Sequence, residues 1–125
     1  MKTNKLWGAA IAALALAAPM LPAPAWAHAE LEAATPAVDS SGASPIELRL
    51  DFSERLELAF SKVTLTGADG VGIAIGTIGL DPSDATILVV PLPAPLRPGI
   101  VTVDWKAVAE DGHKSEGSYN FTVAP

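Results

Sequence analysis

The chain has 125 residues, half of them hydrophobic, which suffices for the core of one small domain. Its 14 acidic residues against eight basic ones give a formal charge of −6, which disfavours nucleic acid and anionic membranes as partners. It has no cysteine, so disulfides and thiolate metal sites are excluded.

Residues 1–27 have the pattern of a secretory signal peptide. Two lysines lie among the first five residues, residues 6–21 are almost wholly apolar, and Ala25-Trp26-Ala27 offers the small residues of a cleavage site. A retained membrane anchor is the alternative, but it needs about 20 unbroken apolar residues, and this run meets prolines. Cleavage after Ala27 would leave residues 28–125 as a periplasmic chain with a formal charge of 6 − 14 = −8 and no stable membrane insertion.

The rest of the chain alternates apolar and polar residues with a period of two, which predicts half-buried strands. The clearest case is residues 46–52, and a second run, residues 62–66, ends at a Gly-Ala-Asp-Gly turn that predicts a hairpin. In chain order, the predicted strands are residues 29–34, 46–52, 62–66, 73–78, 86–90, 101–107 and 117–123.

One connection between these strands is rich in proline. Residues 91–98 contain four prolines, which cannot donate ladder hydrogen bonds and so indicate a long connection or a sheet edge. The longest stretch with a helical character is residues 54–60. About seven short strands without a long helix predict an all-β protein, a single immunoglobulin-like or cupredoxin-like Greek-key β-sandwich.

A candidate metal site follows from the predicted cleavage. A first residue His28 would offer both a free α-amine and its ring Nδ1, which together can close a six-membered chelate ring. The other histidine, His113, stands two residues after Asp111, so both side chains can face one ion in an extended segment. Asp-Gly is also a turn signal in its own right, which makes Asp111-Gly112-His113 a weak motif when taken alone.

The donor types indicate which metal would bind. The predicted set is rich in nitrogen and free of sulfur, because both methionines, Met1 and Met20, precede the cleavage site. Such a set suits Cu(II), with Zn(II) in a tetrahedral arrangement as the main competitor, and it disfavours Cu(I). Since the amine must lose a proton whose unperturbed pKa is near 8, affinity should fall as the pH drops.

Segments spread from residue 28 to the end of the chain match one known family. They are His28-Ala29-Glu30-Leu31, Thr35-Pro36, Glu47-Leu48-Arg49-Leu50-Asp51-Phe52-Ser53-Glu54, Val63-Thr64-Leu65, Val101-Thr102-Val103-Asp104-Trp105, Asp111-Gly112-His113 and Gly117-Ser118-Tyr119-Asn120-Phe121-Thr122-Val123. With these residues the chain resembles the CopC family of periplasmic copper-binding proteins, which implies a copper-binding β-sandwich over residues 28–125.

The resemblance implies one Cu(II) per chain. His28 would supply its amine and ring nitrogen, Asp111 a carboxylate oxygen and His113 a ring nitrogen, with Glu54 as a candidate weak ligand or partner of a ligand. Some family members also carry a methionine-rich Cu(I) site, and this chain departs from that pattern. A CopD-like copper transporter of the inner membrane is the implied partner.

The leading hypothesis is a non-enzymatic periplasmic protein that buffers or delivers Cu(II) for copper homeostasis or resistance. One alternative is a small secreted copper oxidase of the lytic polysaccharide monooxygenase type, which also uses an N-terminal histidine chelate and a second histidine. The other alternative is a metal-free β-sandwich that serves as an interaction module, in which both histidines are incidental.

Overall fold

The computed structural model describes residues 28–125. The predicted signal peptide and its cleavage site therefore lie outside the described residues. Between residues 28 and 125, no helix is long and apolar enough to cross a membrane.

Strands in two sheets make up the described part of the chain. The strands are β1 (Leu31–Thr35), β2 (Ser41–Gly42), β3 (Glu47–Phe52), β4 (Lys62–Thr66), β5 (Gly72–Ile73), β6 (Gly79–Asp81), β7 (Asp84–Pro91), β8 (Gly99–Val108) and β9 (Lys114–Val123). One sheet has the order β1-β3-β7-β6, and the other has the order β2-β9-β8-β4-β5. A single turn of 3-10 helix, Leu58–Phe60, precedes β4. The predicted all-β sandwich is confirmed.

The core lies between the two sheets and is built by the alternation seen in the sequence. In β3 the side chains of Leu48, Leu50 and Phe52 are buried, whereas the residues between them are partly exposed. In β8 every second residue from Val101 onwards is buried in the same way. Each fully buried side chain of this size contributes about 1.5–3 kcal/mol, so both sheets are held by apolar burial in place of disulfides.

The β8–β9 hairpin is the longest pairing in the described residues. Its register runs from Gly99 opposite Val123 to Val108 opposite Lys114. Because β8 ends at residue 108 and β9 begins at residue 114, the turn between them contains Asp111-Gly112-His113. The hairpin therefore fixes where the predicted ligand pair lies.

The predicted strand over residues 73–78 is wrong for most of its length. Only Gly72–Ile73 forms a strand, paired with β4 after the predicted hairpin turn, in which the Gly67 N–H donates to the Val71 carbonyl over 3.0 Å. The chain then passes to the other sheet, where β6 begins at residue 79. On the way the Gly76 N–H donates to the Pro91 carbonyl over 2.8 Å, a contact that sequence periodicity does not reveal.

Other boundaries differ by smaller amounts. The first strand begins at residue 31, and β2 and β6 are short strands that the sequence pattern did not indicate. β2 pairs in parallel with β9, its neighbour in space but not in sequence. The proline-rich stretch after residue 91 forms a connection, as predicted, and the Leu96 N–H donates to Ser44 Oγ over 2.8 Å within it.

Candidate metal centre

The turn of the β8–β9 hairpin holds the Asp111-Gly112-His113 motif in a closed conformation. The Ala109 N–H donates to the His113 carbonyl over 2.9 Å, and the Gly112 N–H donates to the Ala109 carbonyl over 2.8 Å. Gly112 has φ of +91°, a region that glycine adopts without steric cost and other residues rarely enter. Glycine thus has a conformational reason to stand between the two predicted ligands.

Asp111 and His113 contact each other directly. His113 Nδ1 lies 2.9 Å from Asp111 Oδ2, and the His113 N–H donates to Asp111 Oδ1 over 3.1 Å. The hydrogen bond from the His113 backbone, followed by the contact with its ring, lowers the pKa of Asp111 below its usual value. The carboxylate is therefore anionic at neutral pH, the form in which it can bind a metal ion.

The segment from His28 to Glu30 is fixed by two serines, one just after β3 and one on β9. Ser53, just after β3, accepts a hydrogen bond from the Glu30 N–H over 2.9 Å and donates to the His28 carbonyl over 3.1 Å. Ser115, on β9, donates to the Ala29 carbonyl over 2.5 Å. We call Ser53 and Ser115 the serine clamp. Since Ala29 between its contacts is fully buried, the backbone of the segment is held against the sandwich.

The fold brings the two histidines together although they are 85 positions apart in the sequence, 113 − 28. Their ring centroids lie 5.8 Å apart, with an angle of 77° between the ring planes. His28 is exposed and His113 is half-buried. One end of the sandwich therefore holds His28 beside His113, and His113 beside Asp111.

These contacts are pairwise. Within residues 28–125, no group of three or more His, Asp or Glu side chains is already arranged around a point where a metal ion could sit. The Asp111 carboxylate faces His113 Nδ1 instead of a shared centre.

The described contacts do not bring Glu54 into the site. Glu54 follows Ser53, is partly buried, and has none of the hydrogen bonds or ion pairs found within residues 28–125. Its role as a weak ligand stays a prediction. The next residue, Arg55, does contact the turn that carries Asp111. Arg55 Nε lies 3.1 Å from Glu110 Oε1, and the Glu110 N–H donates to the Arg55 carbonyl over 2.9 Å.

Trp105 is a core residue, as its place in the alternating strand predicts. It is only 7% exposed and packs edge to face on Phe52, with ring centroids 5.1 Å apart. Its indole covers Gly117, where a Cβ would lie 2.5 Å from the ring. Trp105 and His28 also line the same surface cavity, which makes the indole a nearby optical reporter for the site.

Sequence reasoning missed the residues that position the ligands. Ser115 donates to a backbone carbonyl 86 residues away, and such a role leaves no local signal in the sequence. Ser53 lies in the family-like segment that also contains Glu54, and that likeness was the one available indication.

Comparison with known proteins finds a family model and relatives that match nearly the same part of the chain. The family model of the CopC domain matches residues 31–124. Protein YobA of Escherichia coli K12 is 40% identical over 99 residues, which cover 78% of this chain and 80% of YobA. Copper resistance protein C of Escherichia coli is 40% identical over 109 residues, which cover 79% of this chain and 83% of that protein.

A solved structure supports the same assignment. The crystal structure of PcoC, a methionine-rich copper resistance protein from Escherichia coli, matches with a TM-score of 0.70 and 36% sequence identity, covering 78% of this chain and 99% of PcoC. Family model, relatives and structure agree over the described sandwich, and the chain therefore belongs to the CopC domain family.

Proposed function

We propose that this protein binds a single Cu(II) in the periplasm and buffers or delivers it for copper homeostasis or resistance, without catalysing a reaction. The observation that carries the proposal is the meeting of the two histidines, with ring centroids 5.8 Å apart. Membership of a family that includes copper resistance protein C supports copper as the metal.

The proposed ligands are the His28 amine, the His28 ring, the Asp111 carboxylate and the His113 ring. Cleavage after Ala27 would convert the His28 nitrogen from an amide into an amine, which adds a donor that no internal histidine has. Three nitrogen donors and one carboxylate suit a tetragonal Cu(II) ion, and Cu(II) also leads the affinity order of divalent first-row metals.

The chain differs from PcoC in a way that bears on the oxidation state of copper. PcoC is described as methionine-rich, whereas residues 28–125 of this chain contain no methionine and no cysteine. Cu(I) prefers such soft sulfur ligands. We therefore propose a Cu(II) site alone, with delivery to or from a CopD-like membrane transporter.

The first experiment compares residues 28–125 with the same chain carrying one extra N-terminal glycine, by competitive Cu(II) titration and electron paramagnetic resonance. The extension keeps both imidazoles but converts the terminal amine into an amide. We expect one Cu(II) per mature chain with a nitrogen-rich tetragonal spectrum, and binding more than about 100-fold weaker in the extended chain. Equal affinity of the two proteins would contradict the chelate.

The same samples separate the alternative functions. Rapid peroxide formation with ascorbate, or oxidised sugar products, would indicate a copper oxidase of the monooxygenase type. Indifference of both proteins to Cu(II) would indicate the metal-free interaction module. Tighter binding of Zn(II) than of Cu(II) in a direct competition would assign the site to zinc.

A further inference from the structure

The outer face of the five-stranded sheet carries three lysines beside two carboxylates, Asp104 and Glu116, in an otherwise strongly acidic domain. Lys62 on β4 lies directly opposite Lys106 on β8, and Lys114 lies at the start of β9. These are three of the six basic residues in residues 28–125, a part of the chain with 14 acidic ones. Lys106 thus faces a like charge on β4 and an opposite charge, Glu116, on β9.

The three lysines are not neutralised within the described chain. All are exposed, and the ion pairs of residues 28–125 involve only Arg49, Arg55 and His113 as cations. Glu116, the register partner of Lys106, lines the same surface without an ion pair within 4.0 Å. The ammonium groups are thus available to an external anion.

An exposed aromatic side chain borders these lysines. Phe60, in the 3-10 turn before β4, is 71% exposed. Together with Lys106, Lys114 and Gly112 it lines a groove of about 840 Å³. An exposed phenylalanine offers apolar surface that a partner could cover, here beside the lysine side chains that line the same groove. We call Phe60, Lys62, Lys106 and Lys114 the lysine face.

The lysine face adjoins the candidate copper site. Gly112, which lines the groove, stands between the predicted ligands Asp111 and His113. A molecule seated in the groove would therefore lie against the turn that carries two of the ligands. Copper transfer between two proteins requires such close approach of donor and acceptor ligands.

We propose that the lysine face is the docking surface for a protein partner that presents an acidic segment with an apolar side chain, which packs on Phe60. The inference rests on the proposed function in one respect, that this partner exchanges copper with the adjacent site. Charge complementarity favours a local acidic segment, because a negatively charged bilayer would extend beyond the lysines and be repelled by the formal charge of −8 carried by residues 28–125.

The test titrates the ¹⁵N-labelled mature protein with a synthetic peptide of glutamates interrupted by leucines, followed by amide chemical shifts. A peptide with lysines in place of the glutamates is the control probe. We expect shifts confined to the amides of the lysine face and Gly112, weakened by added salt. Shifts spread over the whole surface, equal shifts with the lysine peptide, or no shift at millimolar peptide would overturn the proposal.

Matched variants locate the effect. K106E and F60S should each weaken peptide binding by about tenfold, because one reverses a contacting charge and the other removes the apolar contact. R97E is the control, since Arg97 is an exposed cation of the proline-rich connection and does not line this groove. An equal loss in R97E would show that only net charge matters and would overturn the assignment.

The remaining measurements show whether the lysine face acts independently of the copper site. K106E and F60S should bind Cu(II) within about twofold of the wild type, because they remove no ligand. If they lose copper affinity as well, the face belongs to the metal site and the docking proposal fails. Binding to phosphatidylglycerol vesicles in place of the peptide, or F60S-sensitive dimerisation in analytical ultracentrifugation, would assign the face to a membrane or to a second copy.

Discussion

The two halves of the candidate copper site are positioned in different ways. The Asp111–His113 half lies in a hairpin turn and is fixed by hydrogen bonds between residues close in sequence, such as that from Gly112 to Ala109. The His28 half is fixed by the serine clamp, through one side chain that follows β3 and one on β9, strands of different sheets. One half is therefore fixed mainly within its hairpin, with support from Arg55, whereas the other needs the assembled sandwich.

The comparison is tested most strongly by removing one histidine from each half. H28A and H113A should each lower Cu(II) affinity by more than about 100-fold, since each change removes at least one ligand. H28A keeps the terminal amine, so it should retain more affinity than a chain in which the amine is also blocked by an added residue. Competitive titration measures both, and unchanged affinity in H113A would contradict the proposed ligand set.

The serine clamp should matter to only one half of the site. S115A leaves the Ala29 carbonyl without its donor next to a fully buried side chain, so we expect a loss of about 1–3 kcal/mol in the free energy of unfolding. We also expect about tenfold weaker Cu(II) binding, because the His28 backbone is less well fixed.

The control is S40A, since Ser40 donates to the Ala37 carbonyl within a local turn. Urea unfolding, Cu(II) titration and the backbone dynamics of Ala29 by NMR provide the measurements. If S115A binds copper as tightly as S40A does, the clamp stabilises the fold without positioning His28.

The hairpin half depends on glycine at residue 112. A Cβ at Gly112 would meet no atom within 4 Å, so the cost of Gly112→Ala comes from its φ of +91° alone and should be about 1–2 kcal/mol. Gly70→Ala is a matched control, with φ of +80°, equally open space and a place in another hairpin.

Both variants should lose similar stability in urea, but only Gly112→Ala should also weaken Cu(II) binding. The reason is that Asp111 and His113 flank Gly112, while Gly70 lies between β4 and β5. Equal copper affinity in the two variants would show that the turn conformation is not needed for the site.

The smallest effect is expected away from both halves, in the pH dependence of stability. Ser83, and then Arg49, hydrogen-bond the Asp81 carboxylate and lower its pKa. A group whose folded pKa lies below the unfolded value of about 3.9 stabilises the fold above that pH, and this contribution is lost as the pH falls further.

Asp81→Asn should therefore be less stable than the wild type at pH 7, and the difference should shrink below about pH 4. Thermal unfolding followed by circular dichroism at several pH values measures this. Cu(II) affinity at neutral pH should not change, and a change would show that the four-stranded sheet is coupled to the site.

The sequence by itself determined the strands that have one face in the core and one face towards solvent. Leu48, Leu50 and Phe52 alternate with charged residues, and this period of two is a local property that requires one buried face wherever the strand lies. The same pattern in β8 and β9 framed the turn that holds Asp111 and His113. The donor types also indicated copper before any contact was known.

Only the tertiary structure decided which of these residues meet. Residues 74–78 resemble a strand in the sequence but form the connection from one sheet to the other, because the Gly76 N–H donates to the carbonyl of the distant Pro91. The approach of His28 to His113 depends on Ser53 and Ser115, whose partners lie 25 and 86 residues away. Hydrogen bonds of this range depend on how the sheets pack, and periodicity along one strand carries no information about that packing.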